Sequence, residues 1–200
     1  QYNVLVNLDK MTKVMNSSDD TFMMISNCIT HDPILLQEPA YEPELYVDNT
    51  EYDADNEERF RVAGKEMKVV SGYQMKHYQS NMAAFIQLGK WFDYLRANDV
   101  YDNTRIIICS DHGSGLRQFD ELIIDAGENN FANVEYYYPL LMVKDFESEG
   151  FETSEEFMTN ADVPTLAVKD LIKNPTNPFT GKAISNKEKT AHDQMIIVCD

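Results

Sequence analysis

The chain has no long hydrophobic run, few basic residues, few cysteines and none of the common glycine-rich or nucleophile motifs. The longest near-apolar stretch, residues 136–143, is eight residues long, whereas a membrane span needs about 20. Lys and Arg number 17 against 34 Asp and Glu, a formal charge of −17. That balance excludes a basic footprint for nucleic acid and passive docking on anionic headgroups. Three cysteines, Cys28, Cys109 and Cys199, show no CxxC spacing, which excludes a zinc-knuckle or thioredoxin-type site. Cys28 and Cys109 lie in apolar runs and read as buried small hydrophobes. No Walker loop, GxGxxG, GxSxG or HExxH occurs. The acidic residues of 38–58 lack EF-hand spacing and read as a solvated face. The opening QYNVLVNLDKMTK has no basic-then-apolar signal segment.

What is present is ordinary globular composition, 43% hydrophobic and 26% charged, enough for one domain over 1–200. Residues 21–29 (TFMMISNCI) read as a buried strand. Residues 37–65 read as a long acidic surface excursion, with a small hairpin near Gly64. Residues 71–98 read as a helix capped by Ser71. Its apolar face is Met75, Tyr78, Met82, Phe85, Phe92 and Leu95, with Trp91 a step off it and His77 partly exposed. A turn at 101–104 precedes a strand at 105–109 (RIIIC), apolar on both faces and suited to the middle of a covered sheet. Residues 138–143 read as another buried strand. Asp162 caps a helix through Leu166 to Ile172, residues 174–180 form a loop, and residues 195–199 a last strand. The alternation predicts an α/β domain: a mostly parallel central sheet flanked by helices.

The strongest chemical signal is Asp111-His112-Gly113 at the end of the 105–109 strand. Ligands bind at the carboxyl ends of strands in open α/β sheets. One carboxylate and one imidazole suit a divalent metal, and Gly113 permits a sharp exit. His31, in Thr30-His31-Asp32-Pro33, follows the first strand in the same way. Two parallel strands would put His31 and His112 on one rim. His77 and His192 read as exposed, and Lys182 after Gly181 as a surface lysine able to meet an anion.

The run YDNTRIIICSDHG, with THDP at 30–33, YPLLMVKDF, FMTNADVPTLAVKDLI and NPFTGKAI, resembles the alkaline phosphatase/sulfatase superfamily. The resemblance covers about residues 21–185, closest to the lipoteichoic acid synthase-like branch of sulfatase-like hydrolases and transferases. It implies a sulfatase-like α/β fold, here incomplete, and a metal-dependent phospho- or sulfo-transferase or hydrolase. Asp111 and His112 would hold a divalent ion (Mn, Mg, Zn or Ca), and His31 would contact the substrate's phosphate or a second metal. The family's early acidic ligand and nucleophile have no counterpart here; Asp19, Asp20 and Thr21 precede a strand rather than follow one. The chain is thus expected to be the C-terminal portion of a catalytic domain, with no catalytic nucleophile, weak metal affinity and no activity alone. The implied substrate is a phosphate or sulfate ester on a cell-surface polymer or lipid-linked carrier. The parent would be bacterial and membrane-anchored, at the extracytoplasmic face, with membrane contact only through its N-terminal part. Two other readings stand beside this one. The first is a non-catalytic module binding an anionic glycan or polymer. The second is a stand-alone α/β domain in which Asp-His-Gly is accidental.

Overall fold

The computed structural model describes residues 1–127 and 130–183. In chain order the elements are α1 (Tyr2–Val6), α2 (Leu8–Met11), α3 (Thr50–Asp55), β1 (Arg61–Val62), β2 (Lys65–Glu66), α4 (Gly72–Ala97), β3 (Ile106–Cys109), β4 (Ile123–Gly127), β5 (Asn130–Asn133), β6 (Leu141–Lys144) and α5 (Val163–Val168). Short 3-10 turns separate several of them. The sheets among the described residues are three antiparallel pairs: β1 with β2, β3 with β6, and β4 with β5. The expected parallel central sheet flanked by helices is therefore not the fold. The chain forms two compact units: Gln1–Tyr101 with Ser114–Tyr138, and Asp102–Gly113 with the chain from Pro139 onward.

The first unit is organised by α4. Ser71 caps it as expected: the Gln74 N–H donates to Ser71 Oγ at 3.2 Å, and the Ser71 N–H donates back to Gln74 Oε1 at 3.0 Å. This reciprocal box satisfies two N–H groups that a helix start leaves without partners. The helix ends where Asp99 turns left-handed, with φ 56°. α1 and α2 pack on α4, burying Leu5 and Leu8. Thr12 ties the join, its Oγ1 accepting from Trp91 Nε1 and its carbonyl from the Tyr94 hydroxyl, both at 2.9 Å.

The buried face of α4 differs from the apolar stripe. Gln74, His77, Gln79, Ser80, Ala83, Gln87, Trp91 and Leu95 are buried, while Phe85 is 40% exposed and Met75, Tyr78, Met82 and Phe92 are half-buried. The cause is what covers the helix. Residues 34–38 form no extended strand, only a bridge from Gln37 to Glu42, and the Ile34 and Leu36 backbones bond to α4 side chains. Ile34 N–H donates to Ser80 Oγ at 3.1 Å, and Leu36 N–H to Gln79 Oε1 at 2.9 Å. Asn49 completes the set, donating to Leu36 O and accepting from Glu38 N–H, each at 2.9 Å. A buried backbone needs such partners, so polar side chains take the inner face.

Two further expectations change for the same reason. Residues 37–65 are not merely a surface excursion, because Glu38, Tyr41 and Asn49 are buried. Glu38 is not a solvated charge either: its Oε2 lies 3.1 Å from Arg59 Nε, and Gln79 Nε2 donates to its Oε1 at 2.7 Å. The hairpin near Gly64 is present. Ala63 and Gly64 form its two-residue turn with φ 51° and 80°, the geometry that matches strand twist.

Residues 21–28 form no strand, and Phe22, Met23, Met24 and Ile25 are exposed. Side chains take the backbone bonds there. Ile29 N–H donates to Asn27 Oδ1 at 3.0 Å and Cys28 N–H to Gln1 Oε1 at 3.3 Å. The local Asn27 bond is of the kind that competes with a sheet ladder. Cys28 and Cys109 are exposed free thiols, not buried hydrophobes.

The second unit is built on β3 and β6, paired from Ile106↔Lys144 to Cys109↔Leu141. Both strands occur close to where the apolar runs place them, but their residues are half-buried or exposed, not covered on both faces. Arg105 clamps the unit. Its Nε and Nη2 donate to Asp145 Oδ1 at 2.9 and 2.7 Å, and its Nη1 reaches the Leu166 and Lys169 carbonyls at 3.1 and 2.5 Å. The guanidinium thus closes the C-terminal end of α5 while stacking on Phe146 at 4.6 Å. α5 stops at Val168 rather than Ile172. The 174–180 stretch is a loop, closed by the Thr176↔Ala183 bridge. The strand expected at 195–199, with Cys199 and His192, lies outside the described residues. Among the described residues, no helix is long and apolar enough to cross a membrane.

Candidate functional site

β3 delivers Asp111 and His112 from its carboxyl end, as the sequence implies. The β3–β6 ladder is prolonged by Ser110, whose N–H donates to Leu140 O at 3.0 Å. Its hydroxyl accepts from Leu140 N–H at 2.8 Å. Asn160 then holds the next two residues. Its Nδ2 donates to Ser110 O at 3.0 Å and to Asp111 O at 2.8 Å, which uses both hydrogens of the amide.

Asn160 is itself fixed. It opens a 3-10 turn, Asn160–Asp162, capped by Thr159. The Asp162 carboxylate accepts from Thr159 N–H at 2.8 Å and from Thr159 Oγ1 at 3.1 Å. Asn177 Nδ2 donates to Ala161 O at 2.8 Å. Sequence reasoning missed Asn160, and it placed Asp162 correctly at the N-cap of α5 but not the bonds of its side chain. Asp162 makes no side-chain bond to the start of α5; it closes the turn that carries Asn160. The Thr-x-x-Asp spacing of Thr159 and Asp162 was the available signal.

The pinned backbone presents two solvent-facing functional groups, with Asp111 Oδ1 accepting from the His112 N–H at 3.1 Å. The Asp111 and His112 side chains are 89% and 57% exposed. His112 Nδ1 lies 2.5 Å from Gly113 O. A carbonyl oxygen only accepts, so Nδ1 carries the proton, and in the neutral imidazole Nε2 carries the lone pair. Nε2 stands 3.7 Å from Asp111 Oδ2. Two ligand atoms about 2.05 Å from a tetrahedral ion lie about 3.3 Å apart, somewhat closer than this pair stands. Backbone capture of the other ring nitrogen is the arrangement that orients metal-bound histidines. Among the described residues, no group of three or more His, Cys, Asp or Glu is placed to hold a metal ion. The pair therefore fits as two ligands, and a metal centre complete within these residues is not found.

His31 belongs to the first unit, exposed in a turn where its N–H donates to Cys28 O at 3.1 Å. There it is close enough to His77 for its charge to act on it. The His77 imidazole is held below its ordinary pKa by burial, with the charge of His31 adding to the effect. His77 is buried rather than partly exposed, packs edge-on to Tyr73 at 4.6 Å, and leaves Nε2 without a partner. Lys182 is exposed in the loop closed by the Thr176↔Ala183 bridge.

No protein-family model matches the chain, and no solved structure matches it. A B3 domain-containing protein of rice (Oryza sativa subsp. japonica) is 29% identical over 105 residues, covering 50% of this chain and 31% of that protein. The chain thus spans under a third of the length of that relative. These comparisons and the antiparallel sheets overturn the alkaline phosphatase/sulfatase resemblance, including its lipoteichoic acid synthase-like branch and the cell-envelope description drawn from it.

Proposed function

We propose that the chain is part of a metal-assisted hydrolase or transferase acting on a phosphate or sulfate ester, with Asp111 and His112 as two of the metal's ligands. One observation carries the reading: Nδ1 of His112 is spent on Gly113 O, so the Nε2 lone pair is available beside the Asp111 carboxylate. Charge supports it. An anionic ester is repelled by a chain of formal charge −17, and a cation at the rim would bridge the two. A bound divalent ion supplies charge neutralisation at the ester oxygens and activation of a nucleophile. The chain's own part is to hold the rim: Ser110 and Asn160 fix the turn, and Asp111 and His112 face solvent from it. Two protein ligands hold an ion less well than three or four, so further ligands and the nucleophile would come from groups beyond this pair.

Manganese titration followed by electron paramagnetic resonance tests the proposal. Wild type should bind one Mn²⁺ weakly, and Asp111→Asn and His112→Ala should each weaken binding by about tenfold or more. Unchanged binding in both variants would refute the assignment.

A further inference from the structure

Glu135, in the first unit, is buried, 7% exposed. Its carboxylate accepts from three consecutive backbone N–H groups: Arg117 at 2.6 Å to Oε2, Gln118 at 2.6 Å and Phe119 at 3.1 Å to Oε1. Asn133 Nδ2 adds a fourth bond to Oε2 at 3.2 Å. Arg117 is left-handed, with φ 55°, which turns the successive N–H groups toward one point. Convergent N–H groups of this kind make a concavity for anions.

Glu135 also forms one wall of a cavity of about 300 Å³ that Asn81, Ser114, Gln118 and Tyr138 line. That volume is at the lower end of the range for small-molecule sites, about 300–1,000 Å³. Gln118, Phe119 and Glu135 belong both to the nest and to the cavity lining, which also includes the apolar Leu116 and Leu122. The nearest acidic neighbours in sequence are partly neutralised, Asp120 by Lys68 and Glu121 by Lys65, each pair at 2.5 Å.

We infer that the turn at 117–119 is a binding nest for a tetrahedral oxyanion, phosphate or sulfate, and that Glu135 is its internal occupant, which the oxyanion replaces. The nest donates three N–H bonds to whichever anion fills it. Glu135 competes by being tethered, so the ligand gains access only in proportion to the fraction of molecules in which the side chain has swung out. This inference rests on residues of the first unit alone and stands or falls separately from the Asp111–His112 reading.

The test compares wild type with Glu135→Ala in chloride-matched buffer, titrated with inorganic phosphate and, in parallel, sulfate. Binding is read by calorimetry and by the amide shifts of Arg117, Gln118 and Phe119. The variant should bind at least about tenfold more tightly than wild type, because its competitor is gone. At phosphate about tenfold above its Kd, the melting temperature of the variant should rise by about 3–6 °C. Should Glu135→Ala be unfolded without anion, refolding on addition of phosphate or sulfate supports the nest equally. Glu135→Gln keeps the side chain and one acceptor oxygen, so it should fold and bind phosphate more weakly than the alanine variant. Equal binding by wild type and Glu135→Ala, no movement of the three amides, or failure of every anion to restore an unfolded variant would overturn the inference.

Discussion

Gln79 tests the account of the first unit most directly. It has no exposed surface, and it joins the backbone of residue 36 to a buried carboxylate. Truncation to alanine leaves the Leu36 N–H without a partner, at about 1–3 kcal/mol, and removes a bond to charged Glu38 worth about 1.5–3 kcal/mol. The expected loss is about 3–5 kcal/mol, a large part of a domain's net stability. Gln79→Leu refills the volume but restores neither bond, so it should remain at least about 2 kcal/mol below wild type. Ser80→Ala is the contrast. Its partner Ile34 is 41% exposed, so water can replace the bond, and the loss should be about 1 kcal/mol. Urea unfolding reports all three, because Trp91 is the one tryptophan and is buried on α4. If Gln79→Leu matched wild type within about 0.5 kcal/mol, the polar inner face of α4 would be incidental and the reasoning wrong.

Other measurements bear on other parts. Asn160→Ala should weaken Mn²⁺ binding by about tenfold while leaving Asp111 and His112 in place, since it frees only the backbone of the rim; an unchanged affinity would show that the amide positions nothing. Arg105→Lys should cost about 2–3 kcal/mol in urea unfolding, because one ammonium cannot serve Asp145 and the end of α5 together. Burial, with the charge of His31 adding to it, holds the His77 pKa below its ordinary value of 6.5. Below pH 6.5 the unfolded chain therefore binds a proton that the folded chain resists. Stability should fall as pH drops through and below 6.5, and level off above it. His77→Leu should flatten that slope, and a slope unchanged in the variant would place its origin elsewhere. Ser71→Ala should destabilise α4 by about 1 kcal/mol through loss of the capping box, measurable by helix-band circular dichroism on heating.

Much of the local structure was legible from neighbours in sequence. Ser71 and Gln74 are spaced for a reciprocal cap, Ala63-Gly64 for a tight turn, and the isoleucines of β3 for a strand that delivers Asp111 and His112 at its end. Each of these depends on bonds that close within a few residues, so spacing alone specifies them.

What the sequence did not carry is who covers whom. Hydrophobic spacing selected Met75, Phe85 and Phe92 for the inner face of α4, yet Gln79, Ser80 and His77 lie there. The partners of Gln79 and Ser80 are backbone groups some 40 residues away, whose lack of a sheet neighbour no local pattern records. The direction of a strand pair is equally invisible in composition: β3 is as apolar as a parallel core strand but pairs antiparallel with β6. Asn160 reaches the rim from about 50 positions downstream. Residue types and short spacings were enough for caps, turns and the Asp-His pair. Burial, pairing direction and the support of the rim depend on long-range satisfaction of backbone donors and acceptors, and only the tertiary structure decides them.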